Sequence, residues 1–374
     1  MSSAVAERWG VLAAAIGFTP HEPVAGFRSS ASFRQLWRAL GPVVGPPPRY
    51  RHWLRGSHAG KRALVVTHIE GSGSNQSVHT SAVTEIVPPL LVGASITREN
   101  ALTSLFGGQD VLLGIPDVDA ALRIGALDPH GVRRLLLARA GDPTFLTRMS
   151  ALVRSGYSAS DSTAVWSGPG QITDPRTIMA GLDGAAWIAN ELAVRRAACR
   201  RTDAELFVES VWRDFAAEHA LAFDAPRMLI EGVVSGVAVE LALETNGGVL
   251  RTGLGVRFPH EVGVRIHLRR ANALEFLSRL FTDPIRTGDP FFDDAFVLSG
   301  HPAQAVRAVF SNASLRAALC SLLAASELTM TDTGIFWVWP TPVQSREALE
   351  AQLKAGLSIA EALFGAARTQ GPYR

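Results

Sequence analysis

The sequence predicts an α+β protein made by tandem duplication of one module, in which an antiparallel sheet packs on helices. Three observations predict it. The pattern R-x-N-A-L-x-x-L occurs at 98–105 and again at 270–277, an offset of 172 from Asn100 to Asn272. Further on, Gly114, Pro116, Asp119, Ala121, Val132 and Arg133 face Gly288, Pro290, Asp293, Ala295, Val306 and Arg307 at 174. Finally, strands follow one another in alternating runs with helices grouped between them, and the strict β-α-β alternation of a parallel sheet is missing.

The duplication extends in both directions. Asp161, Trp166, Leu182, Ile188 and Leu192 face Asp332, Trp337, Leu353, Ile359 and Leu363 at 171. Upstream, Gly56 and Gly60 face Gly232 and Gly236, and the opening helix matches Trp9, Leu12 and Ala13 to Trp212, Phe215 and Ala216. There the offset jumps, so the first copy holds about 27 extra residues, an insertion at 19–52 that includes Pro46, Pro47 and Pro48. The domains expected are therefore 1–200, carrying the insertion, and 201–374. Positions kept in both copies are read as scaffold first.

The elements are clearest in the second copy. Thr202 or Asp203 is placed to cap its opening helix. Residues 237–244 alternate and then meet Asn246-Gly247-Gly248, a strand entering a hairpin. Strands over 250–258 and 262–268 follow, the second alternating Val264, Ile266 and Leu268 with Arg265, His267 and Arg269. Asn272, like Asn100 in the first copy, precedes leucines at helical spacing and is placed as an N-cap. The rest reads as a strand at 296–298, one or two helices over 302–323, a strand pair over 328–339 and a final helix over 346–366.

Composition bounds the function. An apolar share of 47% with no long run of like charge marks a globular chain of 374 residues. The formal charge of +2 leaves no broad basic surface for a phosphate backbone, so nucleic acid is an unlikely partner. Cys199 and Cys320 are too few for a disulfide framework and lack metal-ligand spacing. No stretch reaches the roughly 18 apolar residues of a membrane span and no leader-like pattern is visible, so the expectation is a cytoplasmic protein without a membrane partner.

Several groups are candidates for chemistry. Asp289, Asp293 and Asp294, with His301 nearby, have the ligand types a divalent cation takes, although Gly288 and Pro290 also mark a turn in which aspartates bond their own backbone. Arg265, His267 and Arg269 share one strand face and suit an anion; the first copy has Gly93, Ser95 and Thr97 there. Gly71-Ser72-Gly73-Ser74-Asn75 lacks Walker spacing and reads as a hairpin tip, and Ser72 or Ser74 with His68 or His79 lacks a nucleophile elbow. Arg195, Arg196, Arg200 and Arg201 are read as solvated residues at the junction. Phe336, Trp337 and Trp339 are read as core.

The segment Thr287-Gly288-Asp289-Pro290-Phe291-Phe292-Asp293-Asp294-Ala295-Phe296-Val297 resembles a motif of a bacterial protein family. In the first copy Asp117-Val118 replaces the phenylalanines. The resemblance implies no activity and no cofactor. The function expected from the residues is a non-catalytic binding or assembly protein, an internal pseudo-dimer whose partner is a protein reached through the insertion at 19–52. The alternatives are a metal-dependent hydrolase using one copy and a nucleic-acid-binding scaffold.

Overall fold

A computed structural model describes residues 3–20, 52–70, 77–98, 111–126, 128–138, 143–246, 249–258, 260–271, 284–332 and 334–369. The first half contributes helices α1 (Ser3–Ile16), α2 (Pro116–Asp119), α3 (Pro129–Leu137), α4 (Pro143–Arg154) and α5 (Pro175–Ala198). Its strands are β1 (Thr19–Pro20), β2 (His52–His58), β3 (Lys61–Glu70), β4 (Ser77–Glu85), β5 (Ser95–Arg98), β6 (Leu122–Gly125), β7 (Tyr157–Ser160) and β8 (Thr163–Pro169). The second half repeats the set with α6 (Asp203–Glu218), α7 (Pro290–Ala295), α8 (Ala303–Phe310), α9 (Ala313–Cys320) and α10 (Arg346–Thr369). Its strands are β9 (Ala222–Asp224), β10 (Leu229–Val234), β11 (Val237–Asn246), β12 (Val249–Arg257), β13 (Arg265–Arg270), β14 (Phe296–His301), β15 (Glu327–Thr331) and β16 (Gly334–Trp339).

The two halves share one topology. The first sheet runs β1-β2-β3-β4-β8-β7-β5-β6, and the second, read from its far end, runs β9-β10-β11-β12-β16-β15-β13-β14. Each half is a four-strand meander, a late hairpin inserted beside its fourth strand, and a two-strand edge. The chain divides into two compact units whose main segments meet between Arg200 and Arg201. No helix among the described residues is long and apolar enough to cross a membrane.

Local chemistry explains why both copies fold alike. The β2–β3 and β10–β11 hairpins close through Ala59-Gly60 and Ser235-Gly236, each pair with positive φ (50° and 75°, 52° and 78°). Two successive positive φ values are the signature of a turn whose twist matches that of the strands, and glycine at the second position removes the Cβ clash. Thr202 caps α6 in a capping box with Glu205, satisfying amides that the first turn leaves open.

In the first unit the core lies between the sheet and its helices. Ala63, Val65 and Ala82 pack with Trp9 and Leu12 of α1 and with Ile178 and Leu182 of α5. Toward the other edge Ile96, Ile124 and Ala164 pack with Val132, Phe145, Met149 and Ile188. In the second unit Trp212 is buried, and its indole N–H donates to the Val343 carbonyl at 3.0 Å. Each copy also ties its fourth strand to the segment leading into its long helix. The Thr80 hydroxyl accepts the Ile172 amide at 2.9 Å, and the Thr252 hydroxyl accepts the Val343 amide at 2.8 Å.

Several sequence expectations are refined. The stretch read as a quick crossing at 223–228 contains β9 and leads directly into β10. Residues 19–20, assigned to the insertion, form β1 and pair with β2 through Thr19↔Arg55, so the extra segment starts after them. The remainder of the insertion at 21–51, including Pro46, Pro47 and Pro48, lies outside the described residues, as do Asn100, Asn272 and the glycine-rich tip at 71–76.

One reading is corrected: Arg195 and Arg196 are 1% and 8% exposed, not solvated. The Arg195 guanidinium lies 3.8 Å from the centre of the Phe145 ring and donates to the Ala138 carbonyl at 2.8 Å. Arg196 donates to the Pro89 carbonyl at 3.4 Å. A weakly hydrated guanidinium with its charge on a ring face and a backbone carbonyl tolerates such burial.

Candidate functional site

The sequence candidates separate into two groups. On β13 the alternation holds: Ile266 and Leu268 are buried, Arg265 and His267 are exposed and Arg269 is half-buried. The register with β14 sets Arg265 opposite His301, His267 opposite Ser299 and Arg269 opposite Val297. On the other side β15 places Thr331 beside His267 and Thr329 beside Arg269. Directly opposed residues of an antiparallel pair lie on the same face, so Arg265, His267, Arg269 and His301 form one outward group. The Ser299 hydroxyl donates to the His267 carbonyl at 3.4 Å across this face. Burial pulls the Arg269 guanidinium below its ordinary value.

The same face of the first unit differs. Ser95 opposes Gly125, and Thr97 opposes Arg123. Aligned through Asn100 and Asn272, Gly93, Ser95 and Thr97 occupy the places of Arg265, His267 and Arg269. At the innermost of these rungs both copies keep one arginine on exchanged strands: Arg123 facing Thr97 in one, Arg269 facing Val297 in the other. The Arg265–His301 rung and the His267 side chain belong to the second copy alone.

Asp289, Asp293 and Asp294 belong to a different construction around α7. Gly288 takes φ 87°, a backbone turn that suits glycine, and Pro290 opens the helix. The Asp293 carboxylate reaches back to accept the Thr287 amide at 2.9 Å, the Thr287 hydroxyl at 2.9 Å and the Gly288 amide at 3.2 Å. Asp119 does the same in the first unit, accepting the amides of Leu113, Gly114 and Ile115 at 2.8, 2.9 and 3.0 Å, with Gly114 at φ 82°. The shared Gly-x-Pro-x-x-Asp pattern is thus a loop clamp at the entrance of a short helix.

Asp289 is the N-cap of α7, accepting the Phe292 amide at 3.2 Å and the Arg316 guanidinium at 3.0 Å. The amide bond first, and Arg316 after it, hold its carboxyl below the usual range. Asp294 is exposed on the same short helix. Burial, and then the Asp289 carboxylate, push the Cys320 thiol upward, away from thiolate chemistry. Among the described residues no three His, Cys, Asp or Glu side chains gather as a metal site. To serve a cation, Asp293 would have to release the amides that hold the loop.

Other candidates resolve individually. Ser72 and Ser74 lie outside the described residues, while the Ser77 hydroxyl meets the His79 ring at 2.9 Å. Trp337 and Phe336 are buried, and the Trp337 N–H donates to Gln352 at 2.7 Å, which makes the aromatic run core. Sequence reasoning missed His58, whose ring bonds Asp183 of α5 at 2.8 Å; a lone histidine beside a turn carries no signal for a carboxylate so far along the chain. It also missed the Asp161 clamp, which holds the amides of Val92, Gly93 and Ala94 at 3.4, 2.8 and 2.6 Å. The match of Asp161 to Asp332 was the one sign of it.

No family model, curated protein or solved structure matches the chain in comparisons with each.

Proposed function

We propose that the chain is a non-catalytic binding protein built as an internal pseudo-dimer, in which two copies of one scaffold are used differently. The observation carrying this reading is the outward group of Arg265, His267, Arg269 and His301, present on a sheet whose counterpart in the first copy shows serine, threonine and glycine at the matching places. The acidic residues, by contrast, are engaged with backbone amides, and one of them has an equivalent in the first copy doing the same work. Side chains common to both copies serve the fold; those found in one copy on a solvated face are free to serve recognition. The partner is a protein, met at this face through electrostatic complementarity.

The test is to give β13 the character of β5 in the full-length chain, with Arg265→Ser, His267→Ser and Arg269→Thr together. These side chains point away from the core, so the thermal midpoint is expected to stay near that of the wild type. Proteins recovered on the immobilised wild-type chain at physiological salt are expected to be missing from the variant. Recovery of the same proteins by both, with folding intact, would refute the reading.

A further inference from the structure

The geometry points to an extended acidic protein segment, with Asp or Glu at alternate positions, laid along β13; this rests on the reading of the β13–β14 face as the binding surface. Along a strand, residues two apart recur on one face about every 6.7 Å, so Arg265, His267 and Arg269 make a row about 13 Å long. An extended segment with alternating carboxylates presents them on one face at the same interval. The row is not a bare line. His301 stands across from Arg265 and Ser299 across from His267, adding donors about 5 Å to the side of each.

Arginine suits this role, since its planar fork bonds both oxygens of a carboxylate. The platform is also held in place from behind. Ile266, Leu268, Leu298 and Met330 are buried on the inner side of β13, β14 and β15, so the row keeps its pitch before any ligand arrives. A single inorganic oxyanion spans one rung and leaves the others uncontacted. Single-stranded nucleic acid wants aromatic faces between its cationic contacts, whereas the outward neighbours of the row are Val297, Ser299, Thr329 and Thr331.

The experiment uses the full-length protein and two fluorescein-labelled eight-residue peptides of identical composition, one alternating Glu and Ser, the other a Glu block followed by a Ser block. Fluorescence anisotropy in physiological salt is expected to show the alternating peptide binding about tenfold more tightly than the block peptide. Arg265→Ser with Arg269→Thr is expected to weaken it by a further factor of about ten with the melting curve unchanged. Equal binding of the two peptides overturns the inference, because charge without pitch would then suffice. So does tighter binding of inorganic phosphate or oligothymidylate that is lost in the same variant. If neither peptide binds while the triple variant of β13 still loses the partners held by the wild type, the acidic segment is refuted and the binding face stands; if the variant loses nothing, both fall.

Discussion

Asp161 and Asp332 occupy one position in the two copies and meet different surroundings. Asp161 is 3% exposed and accepts three consecutive amides. Asp332 keeps the backbone half of the arrangement, its carbonyl accepting the Val262 amide at 3.0 Å as that of Asp161 accepts Leu90 at 2.7 Å, but its buried Oδ1 has no hydrogen-bond partner. Burial first, then the nearby Glu261, push the Asp332 carboxyl above its ordinary value, with Arg265 pulling the other way. The native state therefore holds this proton more tightly than the unfolded chain does. The associated stability is complete below the ordinary aspartate range and is lost as pH rises through the elevated value.

Asp332→Asn, with no proton to release, is expected to escape that loss. Its stability relative to the wild type should climb between acid and neutral pH in urea titrations. Asp161→Asn gives up one acceptor oxygen and is expected to cost ~1–3 kcal/mol at neutral pH. Asp293→Ala and Asp119→Ala are expected to cost similar amounts, ~1–2 kcal/mol each, because both remove a carboxylate clamp from a helix entrance. A loss seen for Asp119→Ala alone in the same titrations would return Asp293 to the candidates for ligand binding.

At the scale of elements, the threonine links of the fourth strands give a paired prediction. Thr80→Val and Thr252→Val preserve shape but strand a buried amide, Ile172 in one copy and Val343 in the other. Each is expected to lower the unfolding free energy by ~1–3 kcal/mol, read by chemical denaturation. The elements themselves were legible to different degrees. The face of β13 could be read because period-two alternation is a local signal. Its neighbour could not, since the rung joining Arg265 to His301 depends on a register between strands separated by residues 271–295. For α7 the difficulty was length: six residues, with Phe292 the one buried side chain, are too few for helical periodicity. Asp293 was read as a ligand for the same reason, its role resting on bonds to amides five and six residues back. Arg195 and Arg196 were misplaced because the Phe145 ring and the Pro89 carbonyl that receive them are distant in sequence.

For the whole molecule, the repeat makes each copy a control for the other. A saturation scan of the full chain scored by soluble abundance is expected to show correlated tolerance at aligned positions such as Gly60 with Gly236, Asp119 with Asp293 and Thr80 with Thr252. The correlation should break at Asp161 with Asp332. The outward positions of β13 should tolerate replacement as freely as those of β5; intolerance there would mean the arginines and His267 hold the fold together, and would remove the argument for recognition.

The rung where Arg123 faces Thr97 and Arg269 faces Val297 has a bearing on how relatives of this chain should be compared. Position by position, an arginine is lost on one strand and gained on the next, and two alignment columns would each look variable. Summed across the pair, the charge is unchanged. Inheritance at such a place is carried by a ladder step and not by a residue, so any future tracing of descent on this surface has to count partners jointly.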